Sequence, residues 1–134
     1  MKKTICLFLA TMFLFSQVKW IDNINEAKKL SLQKNLAILA MVSSKTCPSC
    51  RYMKKQVFTN EKVYKFINKN FIALHLDLEY FRGNIPKSFR GRGLPRFYFS
   101  NHSLEVYFKS IGGVRYDSFL KVLQQAKNKF KGNK

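Results

Sequence analysis

Cysteine is scarce, with three residues in a chain of 134, at positions 6, 47 and 50. A fold held by several disulfides is therefore excluded. Histidine is scarcer still, with two. A structural zinc site takes four ligands, usually two close pairs, and here one C-x-x-C pair stands with two scattered histidines. Three prolines and six glycines leave no low-complexity segment, and no internal repeat is present. Acidic side chains number 7 against 25 Lys and Arg, for a formal net charge of +18. The basic residues are spread along the chain, and Lys, Asn, Phe and Ile are all abundant, the pattern of a compositional bias. Only the tail "KNKFKGNK" is a local basic run, read as a frayed, solvated end. No nucleic-acid surface is expected. The length suffices for one domain with a real core and not for two.

The N-terminus, "MKKTICLFLATMFLFSQ", has Lys2 and Lys3 ahead of an apolar run from Thr4 to Phe15. That run is shorter than the roughly 20 residues a spanning helix needs. It reads as a secretory signal peptide over 1–16, with an uncleaved anchor as the alternative because Leu14 sits where a small residue is expected. Cys6 leaves with the signal. Residues 17–134 then form a single domain with a basic C-terminal tail, expected in the periplasm or tethered to the membrane. Cys47 and Cys50 remain, able to pair with each other or with a partner protein. A disulfide closing so small a loop restricts the unfolded chain little, so a purely stabilising role explains it poorly.

Asn23 with Glu26 three residues on is an N-cap with its reciprocal partner, predicting a helix over 23–34. Leu36–Ser44, "LAILAMVSS", is short and continuously apolar, as a strand buried on both faces would be. "TCPSC" follows at once, with Pro48 suited to a first helical turn, and that helix runs to about Val57. Asn60 caps another helix. Phe71–Glu79 is a second buried strand. A basic segment follows, with one helical turn at Pro86–Phe89. "RFYFS" and "LEVYFKS" form a hairpin around Asn101-His102, and Gly112-Gly113 precedes a closing helix marked by Tyr116, Phe119, Leu120, Leu123, Ala126 and Phe130. The order predicts an α/β fold: a central mixed sheet flanked by helices on both faces.

With a C-x-x-C directly after a buried strand, and "GLP" placing Pro95 forty-five residues after Cys50, the chain resembles the thioredoxin superfamily. "NIPKSFRGRGLP" is similar to the approach to the proline in thioredoxins. "VFTNEKVYKFINKNFIALHLDLE" is similar to the secreted subgroup that includes the C-terminal domain of the periplasmic thiol:disulfide interchange reductase. The resemblance implies a thioredoxin fold and a cis-proline at Pro95 facing the dithiol; the plain alternative is a trans proline starting an edge strand. Thr46 replaces the usual Trp before the first cysteine. Met41 replaces the buried acid of cytosolic thioredoxin, and Leu94 precedes the proline.

At the start of a helix, Cys47 would gain from backbone N–H groups and the helix dipole, which favour a thiolate, with Lys45 and Arg51 adding positive charge. Cys47 is the expected nucleophile and Cys50 the resolving thiol, with Pro48 and Ser49 between them. Pro95, after Leu94, would leave backbone open for a substrate strand. Nothing in Leu39–Val42 can take the proton from Cys50; Glu61 and Asp77 are remote candidates, and His75 reads as an ordinary strand residue. The expected activity is thiol–disulfide exchange on exported cysteine-containing proteins without a further cofactor. Reduction or general exchange is favoured over oxidation. Partners would include a membrane thiol:disulfide electron donor and cytochrome c maturation clients, and the default state is a monomer. The rival class is a non-catalytic binding or adaptor protein of the same fold.

Overall fold

A computed structural model describes residues 17–133. The expected leader, its anchor alternative and Cys6 lie outside the described residues. The elements run α1 (Ile24–Lys34), β1 (Ala37–Ser43), α2 (Pro48–Tyr52) with a π-helical turn (Met53–Val57), α3 (Glu61–Asn70), β2 (Phe71–Asp77), α4 (Leu78–Phe81), a 3-10 turn (Lys87–Phe89), β3 (Arg96–Ser100), β4 (Val106–Ile111) and α5 (Tyr116–Lys129). The four strands lie in the order β2-β1-β3-β4. β1 pairs parallel with β2 and antiparallel with β3, which pairs antiparallel with β4. β1 is apolar from Ala37 to Val42 because it lies inside the sheet and is buried along its whole length, with Ser43 its one polar side chain.

Alternation along the strands divides the core into two layers. Leu39, Met41, Phe71, Ala73, Phe97 and Phe99 face α2, α3 and α5, and Cys50 lies in this layer. Ile38, Ala40, Val42, Leu74, Leu76 and Tyr98 face Ala27 of α1, Ile85 and Phe89. Among the described residues no helix is long and apolar enough to cross a membrane.

Caps set the helix starts. The Asn23 side chain accepts the Glu26 N–H at 2.9 Å; the return bond expected from the Glu26 side chain is not made. Asn60 accepts the N–H groups of Lys62 and Val63 at 3.0 and 3.4 Å. Replacing Asn60 with Ala leaves these donors unpaired, and equilibrium unfolding in urea should show a loss of about 1 kcal/mol. A stability unchanged within error would contradict this role.

Four expectations need correction. The second strand stops at Asp77 rather than Glu79, because Asp77 accepts the Glu79 N–H at 2.9 Å and starts α4. The helix after Pro48 reaches Val57 but widens: the Phe58 N–H bonds the Met53 carbonyl at 2.9 Å, five residues back. The hairpin turn extends to Glu105, since the Asn101 side chain accepts the N–H groups of Ser103 and Glu105 at 2.9 and 3.0 Å. The tail is tied down rather than frayed. Gly132, at φ +87°, turns the chain so that Asn133 donates to the Ser31 carbonyl at 2.7 Å and accepts the His102 N–H at 3.0 Å. Phe130 meanwhile packs on Tyr107, ring centroids 5.8 Å apart.

Candidate active site

β1 delivers the chain into a tight turn over Ser44–Thr46, closed by the Cys47 N–H bonding the Ser44 carbonyl at 3.3 Å. Cys47 is the N-cap of α2, with extended backbone angles, and Pro48 takes the first helical position. A proline there forfeits no hydrogen bond, since the first helical N–H groups have no partner inside the helix. Cys47 and Cys50 form a disulfide with Cα atoms 5.3 Å apart. Cys47 is half-buried and Cys50 is wholly buried. The Cys50 N–H points at the Cys47 sulfur, 3.1 Å away. When the pair is reduced, that donor and the helix N-terminus favour negative charge on the outer sulfur.

Two further loops are built around this turn. The Leu94–Pro95 peptide is cis, and Pro95 is buried. Leu94 packs at the edge of the layer that holds Cys50, as does Cys47. Its N–H and C=O make no hydrogen bond among the described residues. Arg96 anchors the approach: it is buried, and its guanidinium donates to the carbonyls of Gly93 at 3.1 Å and Phe89 at 3.3 Å. A Cβ on Gly91 would lie 2.7 Å from the Tyr98 hydroxyl and 3.2 Å from the Arg96 side chain, so a larger residue there would displace one of them. The third loop follows β4. The Gly112 N–H bonds the Pro95 carbonyl at 2.8 Å, and the Val114 N–H meets the Met53 sulfur at 3.4 Å. A Cβ on Gly113 would sit 3.4 Å from that of Ser49, so this loop lies against the C-x-x-C turn.

Of the expected charges, Lys45 and Arg51 are exposed, flank the cysteines in sequence, and pair with no carboxylate side chain among the described residues. Glu61 does not serve the dithiol: it pairs with Lys65 on the exposed face of α3. Asp77 caps α4. The acid beside the turn is Glu79, which sequence reasoning missed. Its carboxylate accepts the Ser44 hydroxyl at 2.5 Å and the Lys45 N–H at 3.1 Å. Hydrogen bonding with Asp77 first, then with Ser44 and backbone N–H groups, holds its carboxyl down at about 2. Glu79 is ionised at every physiological pH and braces the segment that leads into Cys47. Replacing Glu79 with Ala should accelerate hydrogen exchange of the Lys45 amide. Unchanged protection of that amide by NMR would contradict the brace.

Arg96, too, had gone unnoticed, although an arginine heading a strand of aromatics, immediately after Pro95, is a readable signal. His75 shares a face with Met41, its cross-strand partner in the β1–β2 register. Among the described residues no group of three or more His, Cys, Asp or Glu could hold a metal ion.

The site thus pairs a half-buried cysteine at a helix start with a wholly buried one, in a thioredoxin-like fold that carries a cis-proline just ahead of β3. The chain belongs to the thioredoxin-like family, whose model matches residues 19–101. An uncharacterised Caenorhabditis elegans protein is 34% identical over 62 residues, which is 46% of this chain and 8% of that protein. The chain thus spans under a tenth of the length of the curated relatives it matches. Among solved structures, a thioredoxin from Thermus thermophilus superposes with a TM-score of 0.69 at 21% identity, covering 81% of this chain and 86% of that one. The C-terminal domain of DsbD from Neisseria meningitidis, in its reduced form, gives a TM-score of 0.62 at 15% identity, covering 77% and 93%.

Proposed function

We propose that this chain is exported to a bacterial periplasm and reduces or exchanges disulfides in exported cysteine-containing proteins. One observation carries the reading: the Cys47–Cys50 disulfide at the start of α2, one sulfur reachable and the other sealed in the core. In the reducing direction the Cys47 thiolate attacks a client disulfide and forms a mixed disulfide. Cys50 then attacks the Cys47 sulfur, and the client leaves with both of its cysteines as thiols. The unpaired backbone of Leu94 offers an extended client segment two hydrogen-bonding groups beside the dithiol. Lys45 and Arg51 give that face a positive charge.

The turnover consumes two electrons, so the oxidised chain must be reduced again. A membrane thiol:disulfide donor fits that need, and apocytochromes awaiting haem attachment are one class of client. Lys2, Lys3 and the apolar run behind them support export. The reducing direction draws on the similarity of residues 57–79 to the interchange reductase, and on the Glu79 carboxylate, which accepts the Lys45 backbone N–H and so places a negative charge at the turn ahead of Cys47. The chain acts as a monomer, presenting one dithiol.

Acid-quenched cells, alkylated with a mass-tagged maleimide and fractionated, test both halves. The chain should appear in the periplasmic fraction with Cys47 and Cys50 mostly reduced. A cytoplasmic location overturns export, and a fully oxidised pair at steady state overturns the reducing direction.

A further inference from the structure

The resolving step needs somewhere to put a proton. Cys50 is fully buried, and the layer around it is apolar: Leu39, Met41, Met53, Phe97 and Phe119. Its thiol must become a thiolate before it attacks, and the position that could hold a buried acid, Met41, holds none. The β1–β2 register supplies a replacement. His75 lies opposite Met41 and on the same face, because Phe71 and Ala73, two and four residues back, belong to the layer that contains Cys50. Its Nε2 lies 2.6 Å from the hydroxyl of Ser43. Ser43 is fully buried, occupies the same face two residues beyond Met41, and is separated from Cys47 only by the Ser44–Thr46 turn.

We propose that His75 accepts, through the Ser43 hydroxyl, the proton that Cys50 releases as it resolves the mixed disulfide. Resting on the exchange reading above, the inference names a proton-handling residue for that same site. In the step, the Cys50 S–H breaks and its sulfur bonds to that of Cys47. The Cys47–client S–S bond breaks, and the client sulfur departs with the electron pair. Cys50 is oxidised and the client sulfur reduced. The Cys50 proton passes to the Ser43 oxygen while the Ser43 proton moves to Nε2, leaving an imidazolium that later releases its proton to solvent or to the departing thiolate. The acceptor is therefore the tautomer protonated on Nδ1.

The surroundings keep the ring neutral and ready. Burial comes first in pushing the His75 imidazole below its ordinary value, and Lys54 in the π-helical turn adds to it. Asp77 on β2 and Asp22 ahead of α1 oppose the shift more weakly. Trp20 flanks the ring, centroids 6.0 Å apart, and Ser43 faces it from β1. His75 also lines a cleft of about 320 Å³ together with Trp20, Lys54 and Phe58, which gives the proton an exit. A neutral base is required, so the resolving rate stays flat at pH 7 and falls as pH drops through the lowered imidazole value. That acid limb lies below the ordinary value of about 6.5.

The two sulfur steps can be separated with 5,5′-dithiobis-(2-nitrobenzoate) and the reduced full chain carrying Cys6→Ser. Attack by Cys47 releases the first coloured thiolate; attack by Cys50 on the resulting mixed disulfide releases the second. In His75→Gln the second phase should slow at pH 7 by at least about tenfold and lose its acid limb, with the first phase unchanged. Ser43→Ala should do the same. A merely structural role would disturb both phases alike, and unchanged second phases in both variants overturn the proposal. Should either variant fail to fold, long-range ¹H–¹⁵N NMR of the unaltered protein decides by the tautomer. A proton on Nδ1 supports the relay, and a proton on Nε2 overturns it. If the unaltered chain shows no second phase at all, the exchange reading itself fails, a result distinct from loss of the histidine's role.

Discussion

Cys47→Ser should abolish disulfide exchange, and Cys50→Ser should convert the chain into a trap. Insulin reduction driven by dithiothreitol is expected to fall by about three orders of magnitude or more in Cys47→Ser, the scale on which removal of a nucleophile acts. A serine hydroxyl at Cys47 is not a competent nucleophile toward sulfur; the thiolate is. Cys50→Ser keeps the attack and loses the resolution. Non-reducing gels should therefore show the Cys50→Ser chain covalently joined to cysteine-containing proteins, with the adducts released by dithiothreitol. The asymmetry follows from the geometry: Cys47 is half-buried and receives the Cys50 N–H, whereas Cys50 is sealed beneath it. A chain that binds its partners equally well with Cys47→Ser, and forms no adducts with Cys50→Ser, would be an adaptor rather than an exchanger.

Phe97→Ala should be the most damaging core substitution. Phe97 on β3 is fully buried, lies two residues after Pro95, and is the cross-strand partner of Met41. Its ring meets Phe119 of α5 at 4.8 Å and Phe58 at 6.1 Å between centroids, and Phe58 in turn meets Trp20 at 5.1 Å. Truncation removes one ring of this aromatic group from the layer under the dithiol. Loss of the transferred area together with the cavity left behind sets the cost at about 3–5 kcal/mol. Against a total stability of about 5–15 kcal/mol, that removes a large share. Urea unfolding of the oxidised protein measures it. A loss below about 1 kcal/mol would mean that the layer collapses around the gap and that Phe97 is not its keystone.

The fold was legible because its signals are local and periodic. Leu36–Ser44 is an apolar run too short for a helix, and β1 is the central strand that such a run describes. Asn23 and Asn60 announced their helices as caps, and both side chains do cap. The cysteine pair was legible because the C-x-x-C directly follows a buried strand and opens a helix, with Pro95 just ahead of a later strand. What escaped reading depends on contacts distant in sequence. Glu79 reaches Ser44 and Lys45 across thirty-five and thirty-four positions. His75 lies thirty-two positions from Ser43. Asn133 anchors the tail to Ser31 across 102 positions, where a basic, glycine-containing end suggested fraying. Each of these is a polar side chain on an otherwise ordinary strand, short helix or tail. Only the register of the sheet and the path of the chain bring its partner near.

The central claim is that Cys47 and Cys50 form a reversible couple that works in the reducing direction. Equilibration of the purified chain with defined ratios of oxidised and reduced glutathione or dithiothreitol, followed by quenching and mass-tagging of free thiols, gives its reduction potential. The account expects a single two-electron transition close to the thioredoxin value of about −270 mV. A potential near that of strong oxidants, about −120 mV, would contradict the reducing direction. Cysteines that fail to form a disulfide reversibly would contradict the claim itself.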